Sequence, residues 1–194
     1  MNPPPFILAS VSPRRAELLR QLVADFTVVP SDAPEIHDAQ LTAWEMAQVN
    51  AYRKARVVAK KFPDALVLGA DTLVYLDRKA KLFGKPANLA NAARMLGELQ
   101  GRVHAVITGV CLLHLRGHRQ RVFAAWTDVR FHPLTAKQIQ EYLALINPLD
   151  KAGAYAIQEH GERIVAEISG SYSNVVGLPM ERVREALRAW AIHS

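Results

Sequence analysis

Two short stretches concentrate residue types that can do chemistry. The apolar run ALVLGAD ends in Asp71, a carboxylate at the carboxyl end of what reads as a buried strand. In open α/β sheets ligands sit outside such strand ends. Asp71 there could bind a hard cation such as Mg2+ through oxygen, or take a proton from an attacking water. A turn aspartate that only caps the strand is the plainer alternative. In SVSPRRAELL, Ser12 is a good N-cap and Pro13 a good first helical residue, which places Arg14 and Arg15 in a first helical turn. Cations there are disfavoured by about 0.3–1 kcal/mol each, and Glu17, one turn in, offsets only part of this. An anion in front of the helix, met by N–H groups and guanidinium forks, would account for the pair. Two solvated arginines are the alternative.

Further candidates lie in loops. Glu35, in SDAPEI, could add a second oxygen ligand or be a bystander, and Lys54 sits in YRKARVVAKK, where most lysines form a solvated face. Lys85 in FGKP is held extended by the following proline, and Gly84 lets the chain turn close to a ligand. Lys151 in LDKAGAY has Asp150 beside it and small residues behind it, so Lys85 and Lys151 have the better context for phosphate. A strand-to-helix turn explains Gly177 and Pro179 of GSYSNVVGLP, but not its whole hydroxyl-rich run. His104, in GRVHAVITG, reads as a packed or hydrogen-bonded strand residue, and His114 and His118 have no ligand partners nearby for a zinc site. Walker A, GxGxxG and GxSxG patterns are absent, which argues against a P-loop ATPase, a Rossmann oxidoreductase and an α/β-hydrolase.

Alternating strands and helices must position these residues. FILAS reads as a strand, Ser12 to about Leu22 as a helix and FTVVP as a second strand. Thr42–Phe62 carries helical spacing through Trp44, Ala47, Ala51, Ala55 and Val58. ALVLGADTLVYLD is a buried strand run, and GKPAN leads into a helix through Leu99. VHAVITGVCLLHLRGHRQRVFAAWTDVRF reads as two long strands around a glycine-centred turn. Thr135–Ile146 is helical, ERIVAEIS a strand, and Pro179–Ala191 a final helix. The pattern predicts an α/β fold with a mixed, twisted sheet flanked by helices.

Bulk composition fits a single domain over residues 1–194, with 50% apolar and 22% charged residues and no repeat or low-complexity tract. One cysteine, Cys111, lies in an apolar run and reads as a buried small hydrophobe, and FILA is too short for a signal peptide or a membrane span. A cytoplasmic setting without membrane contact is expected. The net charge of +6 is compatible with nucleic acid, a membrane surface or a phosphorylated small molecule, and no zinc-finger, RNP or helix-turn-helix pattern accompanies it, so nucleic-acid binding is not expected. Together these residues suggest an enzyme acting on a phosphorylated small molecule with a divalent metal.

LASVSPRRAELL, GADTLV, FGKP, GRVHAVITGV, DKAGAYAIQ and GSYSNVVGLP, in that order, resemble the Maf family of nucleoside triphosphate pyrophosphatases, over about residues 7 to 187. The resemblance implies two lobes around a deep cleft, as in the inosine triphosphate pyrophosphatases. It also implies hydrolysis of a nucleoside triphosphate to the monophosphate and pyrophosphate with Mg2+ or Mn2+. Asp71 corresponds to the proton acceptor and, with Glu35, to a metal ligand. Ser10, Arg14 and Arg15 would line the phosphate end, and Lys54 and Lys85 match polar positions around metal and phosphates. Arg14, Thr72 and Gln158 side with the dTTP/UTP-directed branch rather than the 7-methyl-GTP branch. The Gln158 amide offers both the donor and the acceptor that a thymine or uracil edge requires.

Two departures border the implied base pocket: Ile146–Asn147–Pro148 lacks the usual acid, and Glu159 and His160 follow IQ in place of a common glycine. The resemblance further implies a role in cleaning the nucleotide pool, a link with cell-division arrest and a possible homodimer. Another base preference, such as 7-methyl-GTP, and a non-catalytic nucleotide- or nucleic-acid-binding regulator are the alternatives.

Overall fold

A computed structural model describes residues 4–76 and 81–190. In chain order the elements are β1 (Phe6–Ala9), α1 (Pro13–Arg20), β2 (Thr27–Val28), α2 (Ala43–Lys61), β3 (Leu66–Leu76), β4 (Lys81–Phe83) and α3 (Leu89–Leu99). They continue with β5 (Val103–His114), β6 (Arg119–Phe131), α4 (Ala136–Leu143), β7 (Val165–Ser169), α5 (Tyr172–Val176) and α6 (Met180–Arg188). The strands form one mixed sheet in the order β2-β1-β3-β5-β6-β7, with β4 on β3. β1 runs parallel to β2 and β3, while β4 and β7 pair antiparallel with β3 and β6. No helix among the described residues is long and apolar enough to cross a membrane.

Side-chain caps start the helices where the sequence places them. Ser12 Oγ accepts from the Arg15 N–H, and Asn88 Oδ1 from the Asn91 N–H. Thr42 with Glu45 and Thr135 with Gln138 form reciprocal capping boxes. Several boundaries differ from expectation. FTVVP yields only the two-residue β2, at the sheet's end and closed by Pro30. α4 stops at Leu143, three residues early, because Asn147 precedes a proline and is extended. Glu162 and Arg163 belong to a 3-10 turn that follows His160 in the left-handed region, so β7 starts at Val165. β4 was not expected, nor was α5 inside GSYSNVVGLP. The extensions of the third strand to Asp77 and of the last helix to Ala191 lie outside the described residues.

The chain divides into two compact units. The first holds residues up to Asp71, Thr108–Ala125 and Gly177 onward; the second holds Thr72–Ile107 and Trp126–Val176. In the first, Ala51, Ala55, Val58 and Ala59 of α2 pack with Ile7, Ala9, Val67, Cys111 and Leu113 of the strands. Trp44, expected in this stripe, is 36% exposed. The helix lies so close that a Cβ on Gly109 would stand 2.2 Å from the Ala47 carbonyl oxygen, and one on Gly69 2.5 Å from that of Ala51. Burial pushes the Cys111 thiol up to about 12, which leaves it unreactive.

The core of the second unit joins Val74, Leu76, Phe83, Leu96, Leu99, Val129, Phe131 and Tyr142. The hydroxyl-rich run finds its structural role here. Ser171 N–H donates to Thr127 Oγ1, which donates to the Ser171 carbonyl, and Asn174 Nδ2 donates to Thr127 Oγ1 and the Val106 carbonyl.

His104 is buried in the same core, its Nε2 2.9 Å from Tyr155 Oη and its ring edge-on to Phe131 and Tyr155. Burial pushes its pKa down from 6.5 to about 3. The unfolded chain therefore takes up a proton below pH 6.5 that the folded protein refuses, and stability falls as pH drops from 6.5 towards 3. The expected slope from this residue is about 1.4 kcal/mol per pH unit. Thermal melts between pH 6.5 and 5 check this: His104→Gln should flatten the slope whatever its effect on the absolute Tm. An unchanged slope would remove His104 as its source.

Candidate active site

The first unit assembles a charged cluster around Asp71. The carboxylate is not, as expected, at the carboxyl end of its strand but at the middle of β3, because the apolar run continues through Leu73, Val74 and Leu76; it is 2% exposed. Such a charge must be paired. Lys54 Nζ donates to Asp71 Oδ1 at 2.5 Å and to Glu35 Oε1 at 2.6 Å. Asn50 Nδ2 donates to Asp71 Oδ2 at 3.2 Å. Asn50 and Lys54 lie one turn apart on α2, so one helix face holds both oxygens of the carboxylate.

Asn50 also pins the loop that carries Glu35. Its Oδ1 accepts from the Ile36 N–H at 2.9 Å and its Nδ2 donates to the Ile36 carbonyl at 3.2 Å. Sequence reasoning passed over this residue. The signal was an asparagine three residues after Ala47 and one before Ala51, a polar residue inside the apolar stripe.

Arg15 borders the same cluster. Its Nε donates to the Gly177 carbonyl at 2.9 Å and its Nη1 to Ser10 Oγ at 3.3 Å. Burial pushes the guanidinium down from its ordinary value, while the Asp71 and Glu35 charges pull it back up and Arg14 pushes it down again. A guanidinium stays charged through such shifts. Backbone and carboxylates thus account for much of Arg15's place in the first turn. Ser10 is buried and Arg14 half-buried.

Asp71 and Glu35 both reach the position of the Lys54 ammonium, so two hard oxygen donors converge on one point of positive charge. That donor set suits Mg2+ or Mn2+, which keep water and phosphate oxygens for the remaining positions. Among the described residues no group of three His, Cys, Asp or Glu side chains converges on one point.

The second unit carries the other expected residues. Lys85 is exposed on the segment after β4 and makes no hydrogen bond or ion pair with another described residue. Gln158 is likewise exposed and unbonded among the described residues, and Thr72 is half-buried. Lys151, expected at phosphate, is instead 4% exposed and paired with Asp150 and Glu159.

The Maf-like protein family model matches residues 5–190. A protein of Symbiobacterium thermophilum named dTTP/UTP pyrophosphatase is 48% identical over 184 residues, covering 93% of this chain and 91% of that one. One of the same name from Moorella thermoacetica is 47% identical over 186 residues, covering 96% and 95%. Among solved structures, the Ham1 protein of Staphylococcus aureus superposes with a TM-score of 0.56 at 16% identity, covering 95% of this chain and 98% of that chain, a likeness of fold. With the ordered motifs and the Asp71 cluster in place, these matches settle the family: the chain belongs to the Maf-like proteins.

Proposed function

We propose that this protein is a nucleoside triphosphate pyrophosphatase, one Maf-like domain that hydrolyses dTTP and UTP to the monophosphate and pyrophosphate. The observation that carries the reading is Asp71, a buried carboxylate held on both oxygens by Lys54 and Asn50. The names of the relatives at 42–48% identity support the substrate.

In this reading Asp71 accepts a proton from the water that attacks the α-phosphorus, and the α-phosphorus–oxygen bond to the departing pyrophosphate breaks. Asp71 and Glu35 would hold a divalent cation, which when bound neutralises charge on the phosphate oxygens. Without that cation, Lys54 serves both carboxylates as a counter-charge. Arg14, Arg15 and Ser10 orient phosphate oxygens, Lys85 donates to another, and Gln158 pairs with the pyrimidine edge, with Thr72 beside Asp71 in the chain.

Pyrophosphate release with Mg2+ over dTTP, UTP, CTP, 5-methyl-UTP, GTP and 7-methyl-GTP tests this. Fast turnover confined to dTTP, UTP and close analogues is expected. Turnover of 7-methyl-GTP instead would overturn the base assignment, and binding without release from any nucleotide would make the protein a regulator. Gln158→Glu should lower dTTP and UTP turnover about tenfold more than that of purine nucleotides. An equal loss on all bases would count against Gln158.

A further inference from the structure

Lys151 is among the most deeply buried charges described, with 4% of its side chain exposed. An ammonium has three N–H donors. Lys151 donates to the Asn147 carbonyl at 2.6 Å and to Asp150 Oδ1 at 2.9 Å, and forms an ion pair with Glu159 Oε1, a third acceptor, at 3.2 Å. Oxygens of the chain itself thus surround the ammonium, beneath the surface where a phosphate would arrive. The three acceptors come from both ends of the loop 147–159, so the lysine closes it.

The loop is fixed elsewhere as well. Tyr142 Oη donates to the Ala156 carbonyl and accepts from the Ala156 N–H, both at 3.1 Å. Gly153 N–H donates to the Gly84 carbonyl at 3.1 Å, with Gly153 at φ +70 against Val74. Gln158 therefore stands between two anchored neighbours, Ala156 held by Tyr142 and Glu159 held by Lys151, while its own amide is exposed. Asp150 and Glu159 are 46% and 38% exposed, so the charges that neutralise Lys151 lie at the surface and the lysine beneath them.

We infer that Lys151 is a positioning residue rather than a phosphate ligand, and that its ion pair with Glu159 sets the Gln158 amide for the base. The inference rests on the reading of Gln158 given above. It gives Glu159, one of the two departures from the family pattern, a part in base selection.

The test uses the full-length enzyme with Mg2+ and measures kcat and KM on dTTP, UTP and GTP, with inorganic tripolyphosphate as an inhibitor that has phosphates and no base. Glu159→Gln should raise KM for dTTP and UTP about tenfold, leave kcat within about twofold and lower the pyrimidine preference. Tripolyphosphate inhibition should stay as in the parent. Lys151→Met should move the same ratio, and weaker tripolyphosphate inhibition in that variant would make Lys151 a phosphate ligand and overturn the inference. Gln158→Ala separates the two readings. If it abolishes base preference while Glu159→Gln leaves preference intact, the clasp is wrong and the base reader stands. If it leaves preference intact, the reading of Gln158 fails and takes the clasp with it.

Discussion

Replacing Asp71 by asparagine should lower pyrophosphate release at saturating nucleotide by about a thousandfold, the usual scale for losing a positioned general base. The substitution keeps the shape of the side chain and its place on β3. Lys54 keeps Glu35 as a partner at 2.6 Å, so the half-buried ammonium is not stranded. Nucleotide affinity should therefore change little, and a binding titration beside the turnover assay separates the two effects. Activity within a few-fold of the parent would remove Asp71 from the mechanism.

The second large effect should come from a residue that touches no substrate. Gly109 faces the backbone of α2, and a methyl group there would meet the Ala47 carbonyl carbon at 2.3 Å and the Gln48 nitrogen at 2.7 Å. Neither is the end of a flexible side chain. The helix must retreat by about an ångström, an overpacking that costs roughly 3 kcal/mol. Asn50 and Lys54 ride on that helix, so both bonds to Asp71 lengthen with it. Gly109→Ala should lower Tm by roughly 10 °C and kcat by about a hundredfold. A Tm within about two degrees of the parent would mean that the helix is free to shift.

Much of this was legible in the chain. Ser12, Thr42 and Thr135 mark helix starts because a cap is a local device, read within four residues. The alternation of strands and helices gave the mixed sheet for the same reason. The ends of α4 and the start of β7 were misread because local turns at Asn147–Pro148 and His160 overrode an apolar pattern that ran on past them. The site was partly legible: Asp71 stood out as a charge interrupting an apolar run, Glu35 was open between ligand and bystander, and the resemblance favoured both Glu35 and Lys54. Asn50 did not stand out, since its three partners, the two backbone groups of Ile36 and Asp71, are 14 and 21 residues away in sequence. Lys151 was read from its small neighbours as open to a ligand, whereas Glu159, eight residues on, closes over it. Long-range pairing of this kind leaves no periodic trace.

The Lys54 ammonium between Asp71 and Glu35 has a consequence for how the protein matures. Two carboxylates that share a point would repel one another in a freshly folded chain and would need an ion from solution to come together. Here the chain brings its own counter-ion, one helical turn from Asn50. The fold can thus be completed in the absence of any divalent ion, unlike small metallo-domains in which loading and folding are a single event. If the proposed pyrophosphatase works with a divalent cation at Asp71 and Glu35, scarcity of that ion would leave an idle but intact molecule, ready to work as soon as the supply returns.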